Sequence, residues 1–246
     1  MNNYRADLHI HSVLSPCGDL EMSPVNIIKK ALEQNLDIIG ITDHNSTLHG
    51  PLLRVLGQKS GIFVLTGAEV TSKEEVHCLT FFENDEILGR FQVYLDSFMS
   101  TIQNDPKLFG YQVVVDKNEQ ILQEIQPLLI AAINQSIEEI EVKVHQLGGI
   151  FIPAHINKPA NSLLSNLGFL PPELKADAIE ISNNSNKEIF LKDNPEFEKF
   201  TVLKNSDAHQ IEFIGRHANI FSMDTVNFNE ICQALHHING RKVKNI

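Results

Sequence analysis

Five residues near the start of the chain, Asp7-Leu8-His9-Ile10-His11, limit what it can become more than any other stretch. They lie in a strand-like segment, residues 4–11, where successive side chains point to opposite faces. Strict alternation puts Asp7, His9 and His11 on one face and Leu8 and Ile10 on the other. A strand covered on both sides reads as nearly continuous apolar residues, so three polar side chains on one face need partners. Two imidazoles at i and i+2 can reach one cation together, although a pair alone serves a structural purpose as readily.

The pattern recurs. Ile41-Thr42-Asp43-His44-Asn45 closes a second strand pattern and Gly67-Ala68-Glu69 a third, while Glu74-Glu75-Val76-His77 opens a fourth. Pro153-Ala154-His155 ends a fifth, and Asn205-Ser206-Asp207-Ala208-His209 ends the last with the same i, i+2 spacing. Ligand-type residues thus gather mostly at the C-terminal ends of strands, where α/β barrels carry their active sites. One buried histidine is ordinarily a satisfied core residue. Six of them at successive strand ends, with Glu69 and Asp207, point to a metal site instead.

Between these strands the periodicity turns helical, the order expected of βα units around a mainly parallel sheet. Strands are expected at residues 4–11, 37–42, 62–69, 76–82, 149–154, 177–181 and 200–206, about seven in all and parallel. Ser23-Pro24 offers an N-cap with proline at the first helical position, and residues 228–238 read as a terminal helix closed by Gly240. Residues 84–145 break the rhythm. Within them, 118–134 looks helical despite Pro127, and Ser136-Ile137-Glu138-Glu139 fits a capping box opening a second helix. This stretch reads as a helical insertion in a single domain spanning 1–246. It is either a lid or substrate wall on the rim, or an elaborated crossover.

Composition narrows the setting. With 246 residues and 42% hydrophobic, the chain can bury a sizeable core. No apolar run is long enough for a bilayer, and the first strand begins too early to leave room for a signal peptide. Cys17, Cys78 and Cys232 are far apart without CxxC spacing, so no disulfide framework is expected and a reducing cytoplasm is the default setting. A net charge of −11 disfavours non-specific contact with nucleic acid or anionic membrane. It leaves anionic substrates open, because bound divalent cations reverse the local sign.

Taken together, Asp7-Leu8-His9-Ile10-His11-Ser12, residues 40–45 (GITDHN), residues 67–69 with His77, residues 153–155, and residues 206–209 with Gly215-Arg216 resemble the PHP family, named for polymerase and histidinol phosphatase. The resemblance covers most of the chain outside the insertion. It implies a distorted seven-stranded β/α (TIM-like) barrel holding two or three divalent metals (manganese, zinc, iron or magnesium) and phosphoesterase activity. Carried over by position, His9, His11, Glu69 and Asp207 would hold one metal, and Glu69 would bridge to a second held by His77 and His155. A third would take His44, His209 and a residue of the loop after His11. The common pattern sets that residue closer, in a Ser-Asp-Gly context; here the loop runs Ser12-Val13-Leu14-Ser15-Pro16-Cys17-Gly18-Asp19, which makes Asp19 the candidate. A solvated loop aspartate is the alternative. Pro-Ala-His is followed by Ile156-Asn157-Lys158 instead of directly by proline, a further departure that adds a cation.

Clustered divalent cations lower the pKa of a bridging water towards neutrality and bind phosphate oxygens. The expected nucleophile is therefore a metal-bound hydroxide, with no side chain assigned to that role. Lys158 and Arg216 are candidate phosphate clamps, the arginine able to form two hydrogen bonds; either could be plain surface charge. Asn45 could touch substrate or cap a helix. Asp43 and Asp7 are expected to brace ligands by hydrogen bonding, as is Glu180. His145, His236 and His237 fall on helix patterns and should be exposed, and His49 reads as a loop histidine. The expected substrate is a small-molecule phosphate ester such as a nucleotide or sugar phosphate, with no nucleic acid polymer and no membrane as partner. A metal-dependent amidohydrolase would also use the first-strand histidine pair. It usually adds a carboxylated lysine at a later strand end, where this chain has Glu69. A non-catalytic metal-stabilised module would be expected to have lost ligands, and this set looks nearly complete.

Overall fold

The computed structural model describes residues 1–245. Its centre is a curled seven-stranded sheet in the order β11-β10-β1-β2-β3-β4-β7. Here β1 is Asn2–Ile10, β2 Ile38–Ile41, β3 Phe63–Thr71, β4 His77–Phe82, β7 Ile150–Pro153, β10 Asn219–Met223 and β11 Lys242–Asn245. Every expected strand position holds a strand, but the uniform parallel direction does not hold. Within this sheet the β1–β2 and β2–β3 pairs are parallel and the other four antiparallel; the separate pair of residues 179–180 with 202–203 is also parallel. Residues 72–76 are too few for a crossover helix, so β4 folds straight back on β3 as a hairpin, with Thr71 opposite His77.

The sheet also stays open where a closed ring was expected. The sixth and seventh strand patterns shrink to β8 (Ile179–Glu180) and β9 (Val202–Leu203), which pair with each other. They span the opening through single links: Asp177 N to Phe151 O at 3.0 Å, Ile156 N to Glu180 O at 2.8 Å, and a bridge between Ile10 and Ala208. Polar side chains replace the missing ladder, since Leu8 N and Lys204 N donate to the side-chain oxygens of Asn205 and Asn219.

Helices cover the sheet where sequence signals start them. Ser23 Oγ accepts from Asn26 N ahead of α1 (Pro24–Glu33), and Ser136 with Glu139 forms the expected capping box of α5 (Ile137–Gln146). Helices α2 (Gly50–Ser60) and α3 (Asp85–Phe98) follow β2 and β4. Leu88, Phe91 and Leu95 of α3 pack with Phe82, Ile140 and Val144, each such side chain contributing about 1.5–3 kcal/mol by leaving water. Further along lie α4 (Pro106–Phe109), α6 (Leu163–Asn166) and α7 (Lys187–Asp193). The terminal helix α8 (Phe228–Leu235) stops short of the expected 238, capped by His236, and Gly240 lies in a separate short turn.

The expected helix at 118–134 is absent. Residues 113–124 form a hairpin of β5 (Val113–Val115) and β6 (Ile121–Glu124), turned by Asp116, whose carboxylate accepts from Asn118 N and Gln120 N. Pro127 cannot donate within a helix, and Asp116 binds the following amides in a turn instead. The excursion touches the loops at the sheet's end: Gly110 (φ +98°) lies so close to Pro16 O that a Cβ there would sit 2.0 Å from it.

Candidate metal centre

The alternation in β1 does not survive to the strand's end. Its pairing register with β2 shifts between Asp7 and Ile10. Leu8 packs with Leu79, Ala154 and Leu203, whereas Ile10 packs with Ile27 and Ile41 on the side of α1. An irregularity of this kind re-aims side chains next to a site. It turns Asp7 away from His9: the Asp7 carboxylate accepts from Ser206 N at 3.1 Å, Ser206 Oγ at 2.6 Å and Gly215 N at 2.8 Å. Burial raises its pKa to about 6, against those hydrogen bonds. Asp7 therefore braces the loop that carries Asp207, not an imidazole.

Glu69 is the hub. Its Oε1 lies 2.9 Å from His77 Nδ1, 3.1 Å from His155 Nε2 and 3.3 Å from His9 Nε2. Its Oε2 lies 3.3 Å from His11 Nε2 and 3.2 Å from His44 Nδ1. Backbone geometry sets this up. Gly67 lets β3 approach β4 so closely that a Cβ would sit 1.5 Å from Thr80 O, and the hairpin then returns His77 to Glu69. Asp207 Oδ1 faces His9 and His11 at 3.4 and 3.5 Å. Donor atoms of His9, His11 and Glu69 lie within 4.8 Å of one another, as do those of His44, Glu69 and His77 and those of His11, His44 and His209. All six expected histidines, with Glu69 and Asp207, thus converge.

The far nitrogens fix how the rings are used. His9 Nδ1 sits 3.0 Å from Glu180 Oε2, and His209 Nδ1 donates to Asp207 O at 2.9 Å. Ser15 Oγ gives its proton to Asp43 Oδ1, so its 3.0 Å contact with His11 Nδ1 is one it accepts. In the neutral rings, three Nε2 lone pairs then face the cluster. Those of His9 and His11 stand 3.2 Å apart, an arrangement that needs positive charge between them. His9 is held well above the ordinary imidazole value, burial opposing and Glu180, Glu69 and Asp207 prevailing. Glu69 is held well below the carboxylate range, burial again opposing and His77 and His9 prevailing. His209 is pushed down to about 4 by burial and by the charge of His11. Buried His155 Nδ1 has no hydrogen-bond partner. Six imidazoles and two carboxylates around unmet charge fit divalent manganese, iron or zinc, and fit magnesium less well because it prefers oxygen donors.

A cavity of about 200 Å³ opens on this group, lined by His44, Glu69, His77, His155, Asp207 and His209, with Lys158 at its side. The Lys158 ammonium pairs with Asp207 Oδ2. Burial works against its charge, but Asp207 holds its pKa above the ordinary value. Asn45, His155 and Asp207 have positive φ (45°, 28° and 53°). Such conformations cost on the order of 1–3 kcal/mol each and collect at functional sites.

Other expectations need correcting. The Asp19 side chain is exposed and its carboxylate accepts from Glu21 N at 2.9 Å; it is its backbone N that reaches His209 O. The residue whose donor atom lies with those of His44 and His209 is His11. Arg216 is exposed, its guanidinium lying over the Phe213 ring at 4.8 Å, outside the cavity lining. Asn45 neither caps a helix nor lines the cavity. Its amide donates to Leu129 O and Ala131 O and accepts from Thr71 N. Asp43 reaches His11 only through Ser15, and it also binds Ser12 N and Oγ. His49 is buried, bridging Ser12 Oγ and Val115 N. His145 is half-buried between Glu141 and Asp177, while His236 and His237 are exposed as expected. Ser12, Ser15, Asn205 and Ser206 support the site from loops, where no periodicity marks them.

The geometry and the family comparison agree. Residues 7–158 match the PHP domain and residues 199–238 the PHP-associated region, so the chain belongs to the PHP family. An uncharacterized protein of Methanocaldococcus jannaschii is 26% identical over 187 residues, 73% of this chain and 81% of that one. In fold the chain resembles the lesion-specific endonuclease Q of Pyrococcus furiosus, with TM-score 0.77, 22% identity, and coverage of 98% of this chain and 58% of that one. A second endonuclease Q structure, bound to a 27-mer duplex with an abasic lesion at its active site, aligns with TM-score 0.71, 23% identity and the same coverage. A Bifidobacterium adolescentis protein described as a metal-dependent phosphoesterase aligns with TM-score 0.55, 18% identity, and coverage of 83% and 87%. This chain therefore spans a little over half of the endonuclease. The expectation of a small-molecule partner in place of a nucleic acid is overturned by these neighbours, one of them bound to DNA. No helix among the described residues is long and apolar enough to cross a membrane.

Proposed function

We propose that the chain is a metal-dependent phosphodiesterase acting on nucleic acid. The observation that supports this most is the convergence of His9, His11, His44, His77, His155 and His209 on Glu69 and Asp207 beside a cavity. Fold likeness to an endonuclease over nearly the whole chain supports the substrate class. His9, His11, Glu69 and Asp207 would hold one ion, and Glu69, His77, His155 and His44 a second. His11, His44 and His209 offer a third grouping. Such ions supply an acidified water and neutralise charge on phosphoryl oxygens.

The chain's own residues do the rest. Glu180 and Ser15 set the tautomers of His9 and His11, keeping Nε2 free. Lys158 brings an ammonium to the cavity, where it can attract a phosphate oxygen. The test is to load the protein with manganese, zinc or iron and offer bis(p-nitrophenyl) phosphate, p-nitrophenyl phosphate and labelled oligonucleotides, single-stranded, duplex and abasic. Hydrolysis of the diester and of at least one oligonucleotide is expected. Activity confined to the monoester, or none with any metal, would overturn the reading.

A further inference from the structure

Acids outnumber bases in this chain, 31 to 20, so a lysine-lined basin is out of character and needs a reason. One such basin, about 500 Å³, is bordered by Lys187, Lys204 and Lys244, with Asn184, Asn186 and a single carboxylate, Glu188. Among the described residues, no ion pair joins any of the three ammonium groups to an acid. Lys204 is held in the wall by a 3.1 Å hydrogen bond from Nζ to Ser185 O.

That wall is formed in part by the loop between β8 and α7. Residues 184–186 border the basin, and the loop they belong to is bonded to the metal centre's own loops. Asn157 Nδ2 donates to Ser185 Oγ at 2.7 Å, and Asn157 is the neighbour of Lys158. Asn183 Nδ2 donates to Ser206 O at 3.3 Å, and Ser206 is the neighbour of Asp207. The positive field extends further: His217 is held below the ordinary imidazole value by burial and then by the charges of Lys204 and Arg216. Unneutralised ammonium groups favour an anion. A nucleotide or a sugar phosphate bound through its single phosphate at the metal centre has no second anion for this basin. A nucleic-acid strand repeats its phosphate at every residue and does.

We propose that the basin of Lys187, Lys204 and Lys244 binds a phosphate flanking the scissile one in a nucleic-acid strand, selecting a polymer over a free nucleotide. This rests on the phosphodiesterase reading above. The test compares the manganese-loaded protein with its Lys187→Ala/Lys244→Ala variant, using a labelled single-stranded oligonucleotide and bis(p-nitrophenyl) phosphate. Losing that phosphate contact should flatten the plot of log Kd against log salt by about 0.7. It should raise KM for the oligonucleotide and leave turnover of the small diester unchanged. A Lys187→Arg/Lys244→Arg variant should recover the slope. An unchanged slope, or equal losses on both substrates, overturns the proposal. If the parent protein cleaves no diester, the phosphodiesterase reading fails, and the salt slope of oligonucleotide binding still decides whether the basin grips phosphates.

Discussion

The protein builds two clusters from the same residue types, histidine and carboxylate, and they come out chemically opposite. At the sheet's end, Nε2 lone pairs of His9, His11 and His209 turn inward because their Nδ1 atoms are engaged outward. At the other cluster, both nitrogens of His145 are taken, Nδ1 by Glu141 and Nε2 by Asp177, while His236 Nε2 meets Asp177 Oδ1 at 2.8 Å. No lone pair of His145 is left for a cation, and the second cluster is a staple joining α5, the segment before β8, and the end of α8. What separates a metal centre from a salt bridge is thus where the second nitrogen of each ring is spent.

The sharpest way to break this comparison is Glu69→Gln, which removes the hub. Loss of an outer partner alone costs about 10–100-fold in metal affinity, so loss of the hub should exceed about a hundredfold, with metal content and hydrolysis falling together. Elemental analysis beside kinetics reads both, and a variant that keeps its metal would refute the hub. Next is Glu180→Gln, which weakens the hold on His9 Nδ1. About 10–100-fold weaker metal binding is expected with the fold intact, and an unchanged affinity would show that the His9 ring is held by something else.

Asp177→Ala addresses the other cluster. It should leave metal content untouched and cost about 1–3 kcal/mol of stability, because Phe151 N loses its 2.7 Å acceptor along with both histidines. The pH dependence follows from two directions. Asp177 lies below its ordinary 3.8, burial opposing and His145 and Phe151 N prevailing, so its contribution is present above 3.8 and lost as pH falls through the folded value. His145 lies above 6.5, led by its hydrogen bond with Asp177, so its contribution is full below 6.5 and lost as pH rises through the folded value. The gap in thermal midpoint between parent and variant should be widest between those values and narrow on both sides. A gap that does not vary with pH would remove the ionic account.

Smallest of all should be Arg216→Ala and Asp19→Ala. With Arg216 over Phe213 and Asp19 turned onto Glu21 N, metal content and kcat/KM should stay near those of the parent. A loss in either would show that the side chain swings to the site when substrate or metal binds.

The convergence of the histidines on Glu69 and Asp207 was legible because strand ends are short and local: a histidine at the end of an apolar run can point to few places. What the sequence hid was long-range or subtle. The slip in β1 that turns Asp7 away depends on pairing with β2, and the reversal of β4 depends on a turn whose length alone forbids a crossover. The edge strand β11 and its neighbour β10 carry no ligand-type residue at their ends to mark them. Residues 118–134 looked helical because Ile121, Leu122 and Ile125 recur at helical spacing, and the turn bonds of Asp116 outweigh that pattern. Glu180 was readable as a brace; the serines that set the tautomer of His11 and hold Asp43 were not, since hydroxyls in loops carry no periodic signal.

Asn45 and His49 tie the loop after β2 to the excursion at 113–131, and that loop also carries His44. Mechanically this makes the excursion an extension of the ligand loop, so a push on its root is transmitted to an imidazole of the metal centre. Apart from the hydrogen bond that Ser23 Oγ donates to Glu119, the tip at 116–120 bonds mainly to itself and can change length without that penalty. Evolution therefore has one part of this appendage free to explore new surfaces, and another that cannot move unless the metal centre moves with it.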